Sequence, residues 1–316
     1  MRMRTVFLSL CIFFLFIQVR TIARQTDSVV LKIATGNLYG TLTVPAASGP
    51  VPVVLMIAGS GPTDRDGNNP MMKNNSLKFL GEGLNQQGIA TLRYDKRGIA
   101  ASQQPGAKEA NLRFDMLVDD AVALVQSLKA DKRFSKVIIL GHSEGSTIGL
   151  SAAGREAVAG LISIAGPGRS ADKVLKEQLS TQPPEIAGIT GRMIDTLAKG
   201  DTLHNVPKMY YALFRPSIQP YLISWFKYDP VVMISKLTMP LLILQGTTDL
   251  QVKVADAELL AKAGSKATLK IIDRMNHVLK QSEADQKQNL ATYIEPTIPV
   301  VPELITSVVS FIKQLP

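Results

Sequence analysis

Cysteine is almost absent from this sequence, whose 316 residues include a single one, Cys11. Cys11 lies in an apolar N-terminal run, so a mature chain without that run would contain no thiol. Such a chain cannot form a disulfide, a cysteine nucleophile or a thiolate metal site. Disulfide-stapled domains, cysteine hydrolases and structural zinc sites are therefore excluded for it.

The sequence also lacks a concentrated block of charge of one sign. Its 35 Lys and Arg against 26 Asp and Glu give a formal charge of +9, without a run of five or more basic residues. Removing the N-terminal arginines Arg2, Arg4 and Arg20 leaves 32 basic against 26 acidic residues, an excess of +6. Because nucleic-acid recognition needs a focused basic face, no nucleic-acid partner is expected.

The apolar run at residues 5–19 is shorter than the roughly 20 residues that a membrane-spanning helix needs. It follows a short basic start and precedes Thr21-Ile22-Ala23, a small-residue cleavage site. This layout predicts a signal peptide over residues 1–23 and an exported protein, periplasmic or secreted. An uncleaved N-terminal anchor is the alternative, and only that form would contact a membrane.

Short apolar runs alternate with helical patterns through the rest of the chain. The predicted strands are a hairpin of Val29–Ala34 and Leu38–Val44 joined through Gly36-Asn37, then Val53–Ala58, Ala90–Tyr94, Val137–Leu140, Gly160–Ala165, Leu241–Leu244 and Thr268–Ile272. The clearest predicted helix is capped by Asn111 and has its apolar face at residues 114–125. The other predicted helices are Ser76–Gln86, Ser146–Ala157, Val254–Ala263 and Val301–Lys313. This alternation indicates an α/β fold, with a mostly parallel central sheet and helices on both faces.

One stretch, residues 169–237, interrupts the alternation because it has helical patterns but no clear strand. It lies between two predicted strands, which favours a helical cap inserted between two parts of one core, residues 24–168 and 238–316. Its aromatic and methionine residues either line an acyl pocket or form the insertion's own core. These residues are Met209, Tyr210, Tyr211, Phe214, Trp225 and Phe226.

A G-x-S-x-G pentapeptide, Gly141-His142-Ser143-Glu144-Gly145, follows a buried-strand pattern and precedes a helical one. This strand–turn–helix context is typical of a nucleophile elbow, which exposes the serine oxygen at a strained turn. Glycines two positions before and after the serine avoid clashes with the neighbouring backbone. We therefore predict Ser143 as a catalytic nucleophile.

A serine hydroxyl needs a base within hydrogen-bonding reach, and the sequence contains only three histidines. His142 lies inside the pentapeptide and His204 inside the insertion, whereas His277 follows the last predicted strand. The acid that orients this base is predicted to be Asp249, just after the strand Leu241–Leu244. The order Ser143, Asp249, His277 matches the order of the hydrolase triad, and Asp273 is the rival acid.

Two backbone N–H groups are predicted to bind the oxyanion of an acyl-transfer reaction. One belongs to Glu144, directly after the nucleophile, and the other to Ser60 in the glycine-rich loop that follows the third predicted strand. Asp64 and Asp66 of the same loop are interpreted as turn caps or partners of Arg65 or Arg97. A calcium loop is the less favoured interpretation of that acidic pair, because two carboxylates alone are few ligands.

These residues together resemble the α/β-hydrolase superfamily over almost the whole mature chain. The loop of residues 59–68, the block Tyr94-Asp95-Lys96-Arg97-Gly98 and the serine pentapeptide are similar to blocks of EstD-type carboxylesterases. Many relatives carry His-Gly in the oxyanion loop, where this chain has Ala58-Gly59. The resemblance implies hydrolysis of carboxylic esters with no cofactor and no metal, and a cap that shapes the acyl pocket.

The expected function is that of a serine carboxylesterase acting on small-molecule esters with short to medium acyl chains. A serine peptidase of the aminopeptidase kind, or a thioesterase, would use the same triad and is the first alternative. A non-catalytic envelope binding protein on a hydrolase scaffold is the second. The sequence leaves the natural substrate and the oligomeric state open.

Overall fold

The computed structural model describes residues 24–33, 36–104 and 107–316, and an eight-stranded sheet forms its centre. The predicted signal peptide, residues 1–23, lies outside the described residues. The strands are β1 Arg24–Ile33, β2 Gly36–Pro45, β3 Val51–Ile57, β4 Ala90–Tyr94, β5 Phe134–His142, β6 Gly160–Ile164, β7 Leu241–Gly246 and β8 Ala267–Ile272. They lie side by side in the order β1-β2-β4-β3-β5-β6-β7-β8.

The sheet is antiparallel only at one edge, where β1 pairs with β2 and β2 pairs with β4. The remaining neighbours are parallel, so the carboxyl ends of β3, β5, β6, β7 and β8 meet at one edge of the sheet. The predicted hairpin forms, but its turn was placed wrongly. Gly36 and Asn37 are already part of β2, where they pair with Ile33 and Lys32.

Helices cover both faces of the sheet, as the unbroken apolar strands predict. The helices are α1 Ser76–Gln86, α2 Phe114–Ala130, α3 Glu144–Arg155, α4 Ala171–Leu179, α5 Pro184–Ala198, α6 Tyr211–Phe214, α7 Gln219–Trp225, α8 Pro230–Ile234, α9 Val254–Ala263, α10 Gln286–Ala291 and α11 Pro302–Gln314. None of the helices in the described ranges is long and apolar enough to cross a membrane. The prediction that Asn111 caps α2 was wrong, since α2 begins at Phe114 with Arg113 before it.

Strand β3 shows how the two halves of the core arise from one run of sequence. Successive side chains of a strand point to opposite faces. Val53, Leu55 and Ile57 pack in one cluster with α2, α3 and α9. Val54 and Met56 pack in a second cluster with α1 and α11. The predicted α/β architecture, a mostly parallel sheet with helices on both faces, is confirmed.

The insertion contains helices α4 to α8, all between β6 and β7. One of its contacts with the core is made by Phe114 at the start of α2, whose ring stacks on that of Trp225 with centroids 5.9 Å apart. The backbone N–H of Phe114 donates to the Ser224 hydroxyl oxygen at 2.8 Å. Helix α7 is therefore anchored on α2 by ring stacking and by a buried hydrogen bond. The predicted boundaries of the insertion, residues 169 and 237, stay a prediction.

Candidate active site

Ser143 lies at the turn between β5 and α3, at the carboxyl edge of the parallel strands. Its backbone has φ 55° and ψ −121°, a conformation that a residue with a side chain adopts only under strain. Two backbone hydrogen bonds hold the turn, from Ser143 N–H to the Ile164 carbonyl and from Ser146 N–H to the Ser143 carbonyl, both 2.9 Å. The side chain of Ser143 is half-buried, so a substrate can approach it.

The glycines of the pentapeptide are required by close backbone packing. A Cβ on Gly141 would lie 2.2 Å from the Gly145 carbonyl oxygen, and one on Gly145 would lie 2.2 Å from the Ile57 carbonyl oxygen. Neither backbone can yield without displacing β3 or α3. The tight turn predicted for Ser143 thus has a direct steric basis.

The imidazole of His277 is oriented by Asp249 in the loop after β7. His277 Nδ1 lies 2.9 Å from Asp249 Oδ2 and 3.1 Å from Oδ1, and both side chains are buried. Asp249 also accepts hydrogen bonds from the N–H groups of Gln251 and Val252 and from Gln245 Nε2. Five contacts therefore fix the carboxylate and, through it, the ring of His277.

The same contacts set the protonation state of Asp249 and the tautomer of His277. Burial alone raises the pKa of Asp249, but the charge and hydrogen bond of His277 and the backbone N–H groups of Val252 and Gln251 bring its pKa below the ordinary value. An ionised carboxylate only accepts, so Nδ1 of His277 carries the hydrogen. In the neutral ring Nε2 is then a free base.

The other candidates for these roles lie elsewhere. Asp273, the rival acid, is exposed, and its Oδ1 accepts a hydrogen bond from the Thr247 hydroxyl at 3.1 Å. His204 is exposed in the insertion. His142 is buried, and its Nε2 lies 2.8 Å from the backbone oxygen of His277. Of the two candidate acids, Asp249 and Asp273, Asp249 is the one whose carboxylate contacts the ring of His277.

Ser143 and His277 reach the same edge of the sheet, linked through the neighbouring residue His142. In the described residues the Ser143 hydroxyl makes no hydrogen bond with the His277 ring. Catalytic hydrogen bonds are often long in a free enzyme and tighten when substrate binds. The contacts of His142 with His277 place the loop of His277 beside the elbow.

The loop that carries His277 is held by groups that sequence reasoning did not single out. The Asn276 side chain donates to Asn289 Oδ1 at 3.1 Å and to the Thr292 hydroxyl at 2.7 Å, and it accepts from the Lys280 N–H. All of these side chains are buried. No local pattern marks Asn276, because the two groups to which its side chain donates, in Asn289 and Thr292, come from α10 and the turn after it.

The predicted oxyanion donors are available for a ligand. A Cβ on Gly59 would lie 3.2 Å from the Ser143 Cβ, so the loop after β3 passes directly beside Ser143. Glu144 begins α3, where backbone N–H groups have no partner within the helix. Within the described ranges, the N–H groups of Ser60 and Glu144 make no hydrogen bond.

A buried charge cluster adjoins these donors and was not predicted. Lys96 Nζ lies 2.6 Å from Glu144 Oε1 and donates to the Gly59 carbonyl oxygen at 2.5 Å. The Tyr221 hydroxyl, from the insertion, donates to Glu144 Oε2 at 2.7 Å. A lysine in a hydrophilic stretch looks like a surface residue in the sequence, so only the fold shows this cluster.

The acidic pair of the loop after β3 has structural partners. Asp64 accepts from the N–H groups of Asp66 and Asn68, as a turn cap does. Asp66 pairs with Arg93, which corrects the expectation that Arg65 or Arg97 would be its partner. Those two arginines pair with Asp95 and Asp120 instead. In the described part of the chain, no group of three or more His, Cys, Asp or Glu side chains is placed to hold a metal.

The aromatic residues of the insertion divide between its core and its surface. Phe214, Trp225 and Phe226 are buried in the cluster that joins the insertion to α2, whereas Met209 and Tyr211 are exposed. For the three buried rings the structure thus favours the interpretation as a core.

Known proteins resemble this chain in sequence and in fold. A family model described as serine aminopeptidase, S33, matches residues 74–225. Esterase EstD of Thermotoga maritima is 30% identical over 256 residues, which are 79% of this chain and 60% of that protein. The chain thus spans about 60% of the length of that curated relative.

Two solved esterases have the same fold. One is Est1E of Butyrivibrio proteoclasticus, solved with ferulic acid. The alignment includes 90% of this chain and 100% of Est1E, with a TM-score of 0.60 and 16% identity. The other is the esterase EaEST of Exiguobacterium antarcticum. The alignment includes 90% of this chain and 100% of EaEST, with a TM-score of 0.54 and 17% identity.

Proposed function

This chain has the fold of the α/β hydrolases, and we propose that it is a serine carboxylesterase acting on small-molecule esters with short to medium acyl chains. The observation that carries the proposal is the Asp249–His277 pair, in which Nδ1 of His277 faces the carboxylate, in a loop that His142 holds against the strained Ser143 elbow. The 30% identity to an esterase over most of the chain supports an ester as the substrate class.

The mechanism follows from these groups in two steps. Ser143 Oγ attacks the ester carbonyl while His277 Nε2 takes its proton, and the oxyanion accepts hydrogen bonds from the N–H groups of Ser60 and Glu144. His277 then protonates the leaving alcohol, which leaves an acyl-enzyme on Ser143. Water attacks this ester with His277 as the base, and the carboxylic acid is released.

An aminopeptidase is the second candidate, because the matching family model carries that description. Such an enzyme needs a carboxylate that is free to bind the substrate's amine. Glu144 is committed to Lys96 and Tyr221, which favours the esterase. In the insertion, Asp172 keeps one buried carboxylate oxygen without a hydrogen-bond partner, and it is the residue to replace in testing for amine recognition.

Export of the protein is a further part of the proposal. It rests on the basic start, the apolar run and the small-residue site within residues 1–23. Mass spectrometry of the protein recovered from cells expressing the whole chain tests it. A mature N-terminus at residue 24 in the periplasm or medium supports export, whereas an intact N-terminus in the membrane fraction supports an anchor.

Fluorophosphonate labelling of the full-length protein, followed by hydrolysis of p-nitrophenyl esters of increasing acyl length, tests the activity. We expect wild type to be labelled and to turn over esters, and Ser143→Ala and His277→Ala to do neither. Labelling with turnover of aminoacyl anilides but not of esters would favour the peptidase. Absence of labelling in wild type would favour a non-catalytic binding protein.

A further inference from the structure

The Lys96–Glu144–Tyr221 cluster is a buried charged network that the reaction steps above do not use. Lys96 follows β4 and is 3% exposed, and Glu144 is 2% exposed. The three polar contacts of the cluster lie between 2.5 and 2.7 Å. Burial raises the pKa of Tyr221 well above its ordinary value, and the Glu144 charge raises it further, so the hydroxyl keeps its proton and donates.

The contact from Lys96 to Gly59 acts on the same peptide unit that contains the Ser60 N–H. No cis peptide bond occurs in the described residues, so the Gly59 carbonyl and the Ser60 N–H point in opposite directions across one rigid plane. Fixing the carbonyl oxygen on the Lys96 ammonium therefore fixes the direction of the Ser60 N–H. The ammonium also polarises the peptide unit, which strengthens its N–H as a donor.

The other end of the cluster restrains the second donor. Glu144 provides its backbone N–H to the oxyanion, while its carboxylate is held by Lys96 on one oxygen and by Tyr221 on the other. The two donors come from separate elements, the loop after β3 and the start of α3. Lys96 contacts both elements, through the Gly59 carbonyl oxygen in the loop and the Glu144 carboxylate in α3.

A contribution to the stability of the fold does not by itself explain why Lys96 and Glu144 are paired in a buried position. Removing an ammonium and a carboxylate from water costs free energy that offsets much of their mutual attraction. Within the site, in contrast, the positions of two donors decide how well a developing oxyanion is stabilised, and rigid donors need no reorganisation during the reaction.

We propose that Lys96 is a positioning residue of the oxyanion site, which sets the spacing and direction of the Ser60 and Glu144 N–H groups, and that Tyr221 is its counterpart from the cap. This inference rests on the proposed hydrolase function. It adds residues that touch neither substrate nor the reacting atoms and act through the two donors.

The test compares Lys96→Met with wild type in full-length protein, by ester kinetics and by inhibition with an alkyl trifluoromethyl ketone. Ser143 Oγ adds to the ketone carbon, its proton passes to His277, and the carbonyl oxygen becomes an oxyanion at the two donors. We expect kcat to fall roughly 10–100-fold with KM within about threefold, and the inhibition constant to rise by the same factor as kcat falls.

The control is Asp120→Asn, which disrupts another buried ion pair, that with Arg97. It should lower the melting temperature without changing the inhibition constant. A Lys96→Met protein with wild-type kcat and ketone affinity would overturn the proposal, as would equal losses of ketone affinity in Asp120→Asn. If wild type itself neither hydrolysed esters nor bound the ketone, the proposed function would fail instead.

Tyr221→Phe keeps the test decisive if Lys96→Met does not fold, because it removes one hydroxyl and introduces no unpaired ammonium. We expect its kcat and ketone affinity to fall together by roughly 3–10-fold, as for the loss of one supporting hydrogen bond. A change in KM alone would assign Tyr221 to substrate binding and contradict its part in the proposal.

Discussion

His142 Nε2 lies 2.8 Å from the backbone carbonyl oxygen of His277, and the two rings lie 4.9 Å apart. A carbonyl oxygen only accepts, so Nε2 of His142 carries the hydrogen and the ring holds the loop of His277 against the elbow. Burial, and then the neighbouring charge of His277, lower the pKa of His142 to about 3. His142 is therefore neutral in the folded protein at every pH at which the enzyme is expected to work.

The first prediction concerns stability at low pH. Because the folded pKa of His142 is about 3 and its ordinary value is 6.5, only the unfolded chain takes up this proton between those values. The stability that neutral His142 contributes is complete above pH 6.5 and is lost as pH falls, by about 1.4 kcal/mol per pH unit. Urea unfolding of wild type and His142→Gln should therefore show the stability gap between them narrowing from pH 7 to pH 4. A gap that stays constant would contradict the burial of a neutral His142.

The second prediction concerns the acid of the triad. Asp249→Asn should lower kcat on the order of 10⁴-fold, because an amide no longer holds the Nδ1–H form of His277. Asp273→Asn is the matched control, since it changes an exposed carboxylate a few residues from the same histidine. Its kcat should stay within about twofold of wild type in the same ester assay. If Asp273→Asn showed the larger loss, the acid would be reassigned.

The third prediction concerns the elbow glycines. Gly145→Ala places a methyl group against the Ile57 carbonyl oxygen, so we expect it to lose about 1–3 kcal/mol of unfolding free energy and most of its esterase activity. Gly49→Ala has open space around the added methyl group and should change neither quantity measurably. Thermal unfolding and fluorophosphonate labelling of the two variants provide the comparison. Equal behaviour of the two would show that the turn can relax.

The fourth prediction concerns the attachment of the cap. Ser224→Ala leaves the buried Phe114 N–H without its acceptor and should cost about 1–3 kcal/mol of unfolding free energy. Ser235→Ala removes an exposed hydroxyl that bonds within its own helix end, and should cost less than about 0.5 kcal/mol. Denaturant unfolding measures both. A Ser224→Ala protein as stable as wild type would mean that ring stacking alone anchors α7.

The sequence was sufficient to predict the fold and the contact between Asp249 and His277 for a definite physical reason. Strands buried on both faces appear as unbroken apolar runs, and the carboxyl ends of parallel strands lie at one edge. Residues just after such runs, including Ser143, Asp249 and His277, are then expected near one another. The structure contains all eight predicted strands and the contact between Asp249 and His277.

Contacts between distant polar residues could not be predicted in this way. Lys96 and Glu144 are 48 positions apart, and Glu144 and Tyr221 are 77 apart, with no periodic pattern to connect them. Asp66 was expected to pair with Arg65 or Arg97, but its partner is Arg93 of β4. Such pairings depend on which loops the sheet order brings together, as the order β4-β3-β5 does for Lys96 and Glu144.

The hydroxyl of Tyr221 links the cap directly to Glu144, the residue that follows Ser143. In many modular enzymes a substrate-binding segment can be exchanged to alter selectivity while the chemistry is left alone. Here a transplanted cap without a hydroxyl at this position would remove a ligand of Glu144, the residue next to the nucleophile. With the proposed esterase activity, chimeras of this chain are expected to change in turnover as well as in substrate range, and a successful exchange would have to preserve the tyrosine.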